Sequence, residues 1–344
     1  MIFSPSSALR ALAVALSFSA TEIGVNAASR SSISSRRSLE ESKSSWLFSR
    51  STPSVEIASD GSTILQGVAK INGLDIGFKV SAPAECFTIG TNIQGSAAIR
   101  HTKGKLGLNV LLHGDGGESF YQFPNQGVRK DLAGVALLAP GEGANWGGGN
   151  SNERPTGERD AAAIKEFILS YLPEILAFDN EKVYFTGISG GSKLLTGFFI
   201  PAYMHLFPNT GALLLCGAMP PQVPFVKPEN FIGNTRLHFQ STQKELPSPS
   251  KLRECLTETI HIYFTEAGAY NVQPDVLAKL QTSNNKPDSK HCVFDGQSFN
   301  SGVKLLVDHF PNIMQAGGDG WVPGIGVVTD SYPNGIVTFD TDDE

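Results

Sequence analysis

The chain has 344 residues, of which 40% are hydrophobic and 17% charged, with a formal net charge of −6. That length can bury a large core, and the balance is that of a globular protein. A mildly acidic chain without a basic stripe excludes nucleic acid as an expected partner.

At the N-terminus, Arg10 is followed by the apolar run Ala11 to Ala20 and by the small residues of Val25-Asn26-Ala27. Residues 1–27 read as a secretory signal peptide, so a secreted, extracellular protein is expected. The apolar run is too short to cross a bilayer, and no later stretch reaches about 18 uninterrupted apolar residues, so stable membrane insertion is not expected. Residues 28–53 are Ser-rich and carry Arg30, Arg36, Arg37 and Arg50. Such a segment buries too little to order itself, and Arg36-Arg37 is a candidate dibasic processing site. Residues 54–344 read as one domain, expected to act as a monomer.

The domain opens with Thr63 to Ile71, Asn72-Gly73 and Leu74 to Val80, a β-hairpin whose Asn-Gly pair suits a type I′ turn. Near-continuous apolar runs follow at Gly107–Leu112, Gly134–Ala139, Val183–Thr186, Gly211–Cys216 and Leu237–Gln240, with a short piece near His291. Segments apolar on both faces are what buried parallel strands look like. Between them lie helical patterns at Arg159 to Phe178, Lys193 to Met204, Leu252 to Ala267 and Val303 to Met314. The first has Ala163, Phe167, Ile168, Tyr171 and Leu172 on one face. The alternation predicts an α/β fold with a mostly parallel central sheet, an N-terminal antiparallel hairpin and helices on both faces. The tail beyond Gly317 is expected to be irregular or a short β-hairpin.

Cys86, Cys216, Cys255 and Cys292 are an even set in a chain read as secreted, so up to two disulfides in any of three pairings are expected. Cys216 closes the run Leu213-Leu214-Leu215, where a buried thiol fits as well as a bridge. No Cys/His spacing suits zinc, so neither metal nor cofactor is expected.

The most informative segment is Val183-Tyr-Phe-Thr-Gly-Ile-Ser189-Gly190-Gly191. With 36 glycines in the chain the pattern G-x-S-x-G arises readily by chance. Its setting between a strand and a helix is what gives it weight, because a sharp strand-to-helix turn lifts the serine hydroxyl above the sheet. Ser189 is the candidate nucleophile, and the Gly190 amide at the helix N-terminus faces any developing oxyanion. A serine needs a base and an orienting acid, and where the serine sits on such a strand-to-helix turn these follow it in the order acid, then histidine. His291, in a loop-like stretch before a helix, is the candidate base, with His309 as the alternative. Glu245, just past the strand ending at Gln240, is the candidate acid, with Asp275 and Asp288 as alternatives. The loop His113-Gly114-Asp115-Gly116-Gly117 supplies a second oxyanion donor from the Asp115 or Gly116 amide. His113 and Trp146, the latter in the Gly-rich loop after Ala139, are expected to line the substrate site, since ligands of open α/β sheets bind at the strands' carboxyl ends.

His113-Gly114, Trp146, the helix opened by Asp160, the Ser189 turn and the late His291 together resemble secreted α/β-hydrolases of the polyhydroxybutyrate depolymerase and feruloyl or acetylxylan esterase type. More closely, Asn109 to Phe294 resembles a group of uncharacterised secreted fungal proteins. The resemblance covers most of the chain after the Ser-rich segment. It implies an α/β-hydrolase fold and hydrolysis of a carboxylic ester through an acyl-enzyme, the substrate being a polysaccharide ester, a polyester or a lipid ester. The chain departs from that pattern at Lys244, where Asp is commoner. A catalytically silent hydrolase fold serving as a wall or cell-surface binding protein is the alternative, and a peptidase or acyltransferase would use the same triad.

Overall fold

The computed structural model describes residues 53–123, 131–149, 153–245 and 252–329, with residues 337 and 339. The segments read as signal peptide and, but for residue 53, as Ser-rich leader lie outside the described residues, which all belong to the unit Arg50–Glu344.

Among the described residues, nine strands form one sheet in the order β1-β2-β3-β5-β4-β6-β7-β8-β9. They are β1 Ser54–Ile57, β2 Thr63–Ile71, β3 Leu74–Ala82, β4 Gly107–Leu112, β5 Leu132–Leu138, β6 Val183–Ile188, β7 Gly211–Leu215, β8 Arg236–Gln240 and β9 Gln281–Asn284. The hairpin β2–β3 turns at Asn72 (φ 50°) and Gly73 (φ 80°), the two positive values a type I′ turn requires. β3 lies antiparallel to β5, and from β5 onward neighbouring strands are parallel. The exchange of β4 and β5 places β6 inside the sheet with Ser189 at its carboxyl end, the arrangement of the α/β-hydrolase fold. β10 Trp321–Val322 and β11 Gly326–Val327 make a separate small hairpin in the tail.

Side chains alternate between two cores because strand periodicity is two. Leu108, Val110 and Leu112 of β4 join Ala212 and Leu214 of β7 in the larger core, whereas Leu111, Leu213 and Leu215 point to the smaller one. The larger core is closed by residues of the helix Gly157–Glu166 and of Leu252–Ala269, such as Ile164, Leu256 and Tyr263. The smaller is closed by Phe299–Asp308 and Phe310–Met314 through Val303, Leu306, Phe310 and Ile313. Helices therefore cover both faces, as expected. No helix of the described residues is long and apolar enough to cross a membrane.

Three elements differ from expectation for identifiable reasons. The first long helix runs as Gly157–Glu166, widens into a π-turn over Phe167–Tyr171 and ends at Ile175. The elbow helix does the same, passing from Gly190–Leu194 through a π-turn at Leu195–Phe199 to Ile200–Tyr203. Each π-turn lies just before a proline, Pro173 or Pro201, which has no N–H to donate four residues back. In the second case the released Gly197 carbonyl accepts from the Gln222 amide at 2.7 Å. The helix expected at Val303–Met314 starts at Phe299, capped by Ser298, and breaks at His309 ahead of Pro311.

The last parallel strand is Gln281-Thr-Ser-Asn284, not a piece near His291. Its polar sequence hides it from a search for apolar runs. Its partners explain why it still pairs: Gln240 Nε2 donates to Asn284 Oδ1 at 3.0 Å, and His238 Nδ1 meets Thr282 Oγ1 at 2.8 Å. Burial holds the His238 imidazole down at about 4, partly offset by its bond to Gln240. An unfolded histidine titrates near 6.5, so between those values the unfolded chain binds the extra proton. Stability is therefore expected to fall as pH drops from about 6.5 to about 4, by up to ~3 kcal/mol. Denaturant titrations across that window should show the slope, and His238→Gln should flatten it; an unchanged slope in the variant would remove His238 as its source.

Candidate active site

β6 ends at Ile188, and the chain turns at Ser189 with φ 49° and ψ −107°, a conformation that a non-glycine residue holds only at a cost of about 1–3 kcal/mol. Its surroundings enforce it. The Ser189 amide donates to Leu215 O of β7 at 2.8 Å, and the Ser189 carbonyl accepts from Lys193 N at 3.1 Å. Neighbouring backbone comes too close for side chains: a Cβ at Gly187 would lie 2.7 Å from Ser192 Cα, and one at Gly191 would run into the Leu112 carbonyl. Ser189 is thus presented half-buried at the carboxyl edge of the sheet.

The loops after β8 and β9 run side by side beyond the sheet. Gln243 N donates to Pro287 O at 2.8 Å and Lys244 N to Ser289 O at 3.1 Å, and Lys244 and Lys290 form an isolated parallel bridge. One residue further on, this register brings Glu245 and His291 together. His291 Nδ1 bonds Glu245 Oε1, and His291 Nε2 lies 3.0 Å from Ser189 Oγ. With the proton on Nδ1 facing the carboxylate, Nε2 is left as the acceptor for the serine hydroxyl. Glu245 is 1% exposed; its second oxygen accepts from Ser241 Oγ at 3.1 Å and its carbonyl from Arg253 Nε at 2.9 Å. Lys244 turns outward and pairs with Asp288 at 2.7 Å, both more than half exposed. Asp288 is therefore engaged at the surface, Asp275 lies exposed in the helix Pro274–Leu280, and His309 Nδ1 bonds Leu305 O at 2.8 Å.

A disulfide joins Cys216, the residue after β7, to Cys292, the residue after His291, while Cys86 and Cys255 keep reduced thiols. The bridge ties the histidine loop to the strand whose Leu215 carbonyl anchors Ser189. Cys216, His291 and Cys292 also form a His/Cys cluster compact enough for a metal ion, but its two sulfurs are bonded to each other.

The loop after β4 packs on the elbow: a Cβ at Gly114 would touch Ser189 Cβ at 3.4 Å. Two expectations about this loop are corrected. The Gly116 amide already donates to Ala144 O and Asn145 Oδ1, each at 3.1 Å, so it has no N–H to spare for a substrate. His113 and Trp146 are completely buried and cannot line a substrate site. His113 Nε2 accepts from Ala139 N at 2.9 Å, tying the ends of β4 and β5 together, and its ring packs 5.3 Å from that of Trp146. Both are structural supports of the loop. The loop that carries Trp146 is held in turn by Asp160, whose Oδ2 accepts from Gly147 N at 2.8 Å and whose carboxyl burial pushes toward the neutral form.

Arg154 was not singled out by its sequence context. Its guanidinium is fully buried and makes two parallel bonds to Asp115, Nη1–Oδ1 at 2.8 Å and Nη2–Oδ2 at 2.7 Å, plus a third to Trp146 O at 2.8 Å. Close by, Lys193 of the elbow helix is buried, and that burial holds its ammonium below the ordinary range; Arg154 adds to this, while Asp115, Cys255 and Glu245 oppose it.

No protein-family profile matches this chain, and no curated protein does. Among solved structures it is similar to a candidate dienelactone hydrolase from Klebsiella pneumoniae, at 11% identity and TM-score 0.42, over 71% of this chain and 97% of that one. It is also similar to an arylesterase, at 10% identity and TM-score 0.42, over 79% and 87% of the two chains. A cold-adapted esterase from an Arctic intertidal metagenomic library follows at 12% identity and TM-score 0.37, over 75% and 99%.

Proposed function

We propose that this chain is a secreted serine hydrolase that cleaves carboxylic esters through an acyl-enzyme. The observation that carries the reading is the unbroken relay Ser189 Oγ–His291–Glu245, assembled from three separate loops at one edge of the sheet. Such a relay activates a hydroxyl that is otherwise a poor nucleophile. Ser189 Oγ attacks the ester carbonyl as its proton passes to His291 Nε2. Glu245 stays ionised, orients the ring and stabilises the imidazolium. The Gly190 amide, at the start of the elbow helix, and the Asp115 amide take the negative charge on the carbonyl oxygen. The imidazolium then protonates the departing alcohol. In the second half His291 takes a proton from water, which attacks the acyl-serine, and hands it to Ser189 Oγ as the Oγ–acyl bond breaks and the acid leaves.

The early basic and apolar pattern supports export, and a disulfide within the catalytic domain fits an oxidising compartment. The likeness of the motifs to polyhydroxybutyrate depolymerases and feruloyl or acetylxylan esterases supports an ester of a polysaccharide or polyester as substrate. The binding-only alternative draws its force from a missing acid, and Glu245 against His291 speaks against it.

Labelling of the purified protein with a fluorophosphonate tests the reading. One equivalent is expected to attach to wild type and none to Ser189→Ala or His291→Ala. Folded wild-type protein that takes up no label would overturn the hydrolase reading, and label retained in Ser189→Ala would overturn the choice of nucleophile.

A further inference from the structure

We infer that Arg154 is a positioning residue for the oxyanion site, setting the Asp115 amide against Gly190 through a buried guanidinium–carboxylate clamp; this rests on the hydrolase reading. Three observations converge. First, the Asp115 carboxylate occupies the space where a side chain at Gly190 would begin, so the two residues whose amides are to share one oxygen atom touch each other. Second, the Asp115 side chain is 35% exposed and sits on a glycine-rich loop that would not hold it unaided, while the Arg154 side chain that grips it is 0% exposed. Third, the same guanidinium bonds Trp146 O, in the loop whose Asn145 Oδ1 and Ala144 O hold the Gly116 amide. One cation thereby holds the donor loop at Asp115 and also the neighbouring loop that holds it at Gly116.

The energetics favour a positioning role over a purely stabilising one. Withdrawing a guanidinium from water is costly, and apolar replacements of buried ion pairs are often neutral or stabilising. A planar fork on a carboxylate fixes orientation as well as distance, which a lysine cannot do. Amide placement matters because oxyanion donors act only if already aimed at the developing charge, and a displacement of about 1 Å can cost about 10²-fold in rate.

The test measures turnover of p-nitrophenyl acetate and inhibition by an aryl trifluoromethyl ketone, whose serine adduct carries the oxyanion, in wild type, Arg154→Lys, Arg154→Met, Asp115→Asn and the Arg154→Met/Asp115→Asn double variant. All three single variants are expected to lose about 10–100-fold in kcat with KM within about twofold, the lysine variant included. Ketone affinity should fall by the same factor, and the double variant should fall no further than the worse single one, since both break one clamp. Asp115→Asn, on a partly exposed side chain, carries the test if Arg154→Met does not fold. Folded variants with unchanged kcat and ketone affinity, or losses confined to KM, would overturn the clamp while leaving the hydrolase reading intact. A wild type inert to both reagents would overturn that reading and the clamp with it.

Discussion

Ser189→Ala and His291→Ala are each expected to lower kcat on an activated ester by about 10⁶-fold, and the double variant by little more. In a serine relay the members act as a unit, so removing either the nucleophile or the base leaves only the binding and oxyanion contributions. Glu245→Gln should cost less, about 10⁴-fold, because the amide keeps the packing but no longer stabilises the imidazolium or selects the tautomer that presents Nε2 as acceptor. The site makes this substitution informative. Glu245 is 1% exposed and bonded to Ser241 and His291, so glutamine of the same shape should fold while losing the charge. Steady-state kinetics with p-nitrophenyl esters, corrected for active sites by the fluorophosphonate, give the numbers. Equal activity in Glu245→Gln and wild type would send the acid's role elsewhere, with Asp288 the first residue to try. Losses that multiply in the double variant would mean that Ser189 and His291 do not share one step.

Removing the Cys216–Cys292 bridge should be the largest single loss of stability in the domain. It closes a loop of 76 residues, for which chain entropy alone puts the stabilisation at about 4 kcal/mol, and measured losses of native bridges run at about 2–5 kcal/mol. For a domain of this size that is a fall in Tm of roughly 3–8 °C. The bridge also bears on chemistry, because Cys292 follows His291 in sequence and Cys216 follows the residue whose carbonyl holds the Ser189 amide. The paired Cys216→Ser/Cys292→Ser variant is therefore expected to lose kcat at temperatures where it remains folded, beyond any loss of folded fraction. Both cysteines are fully buried, so mild reductant should leave the native protein unaffected and act only once it opens. Calorimetry with and without reductant, beside kinetics of the paired variant, checks both parts. A Tm within about 1 °C of wild type would contradict the entropic argument.

The features legible in the sequence follow from local rules. The Asn-Gly hairpin and the apolar runs located seven of the sheet's nine described strands, β2 to β8; β9 escaped because its Thr282 and Asn284 are buried against the polar partners His238 and Gln240. β1 escaped for the opposite reason, since all four of its residues are exposed at the sheet edge. The π-turns needed no new residues, only the prolines already visible, but a missing N–H does not say by itself whether a helix will end or widen.

The identity of Ser189 was legible in a short segment, because a strand-to-helix turn that tight admits few residue types around its centre and shows them in order. His291 and Glu245 were legible as candidates only, through their order in the chain. Their meeting depends on two loops running parallel past β8 and β9, a register that pairs residues 46 apart in sequence. The same limit applies to the pairing of Cys216 with Cys292, to the burial that turns His113 and Trp146 into supports, and to Arg154 reaching Asp115. Backbone chemistry is written locally, so the turn, the hairpin and the layered fold could be read from the chain alone. The relay and its supports are long-range contacts chosen by packing, and only the assembled structure decides which distant side chains a charge or a proton will find.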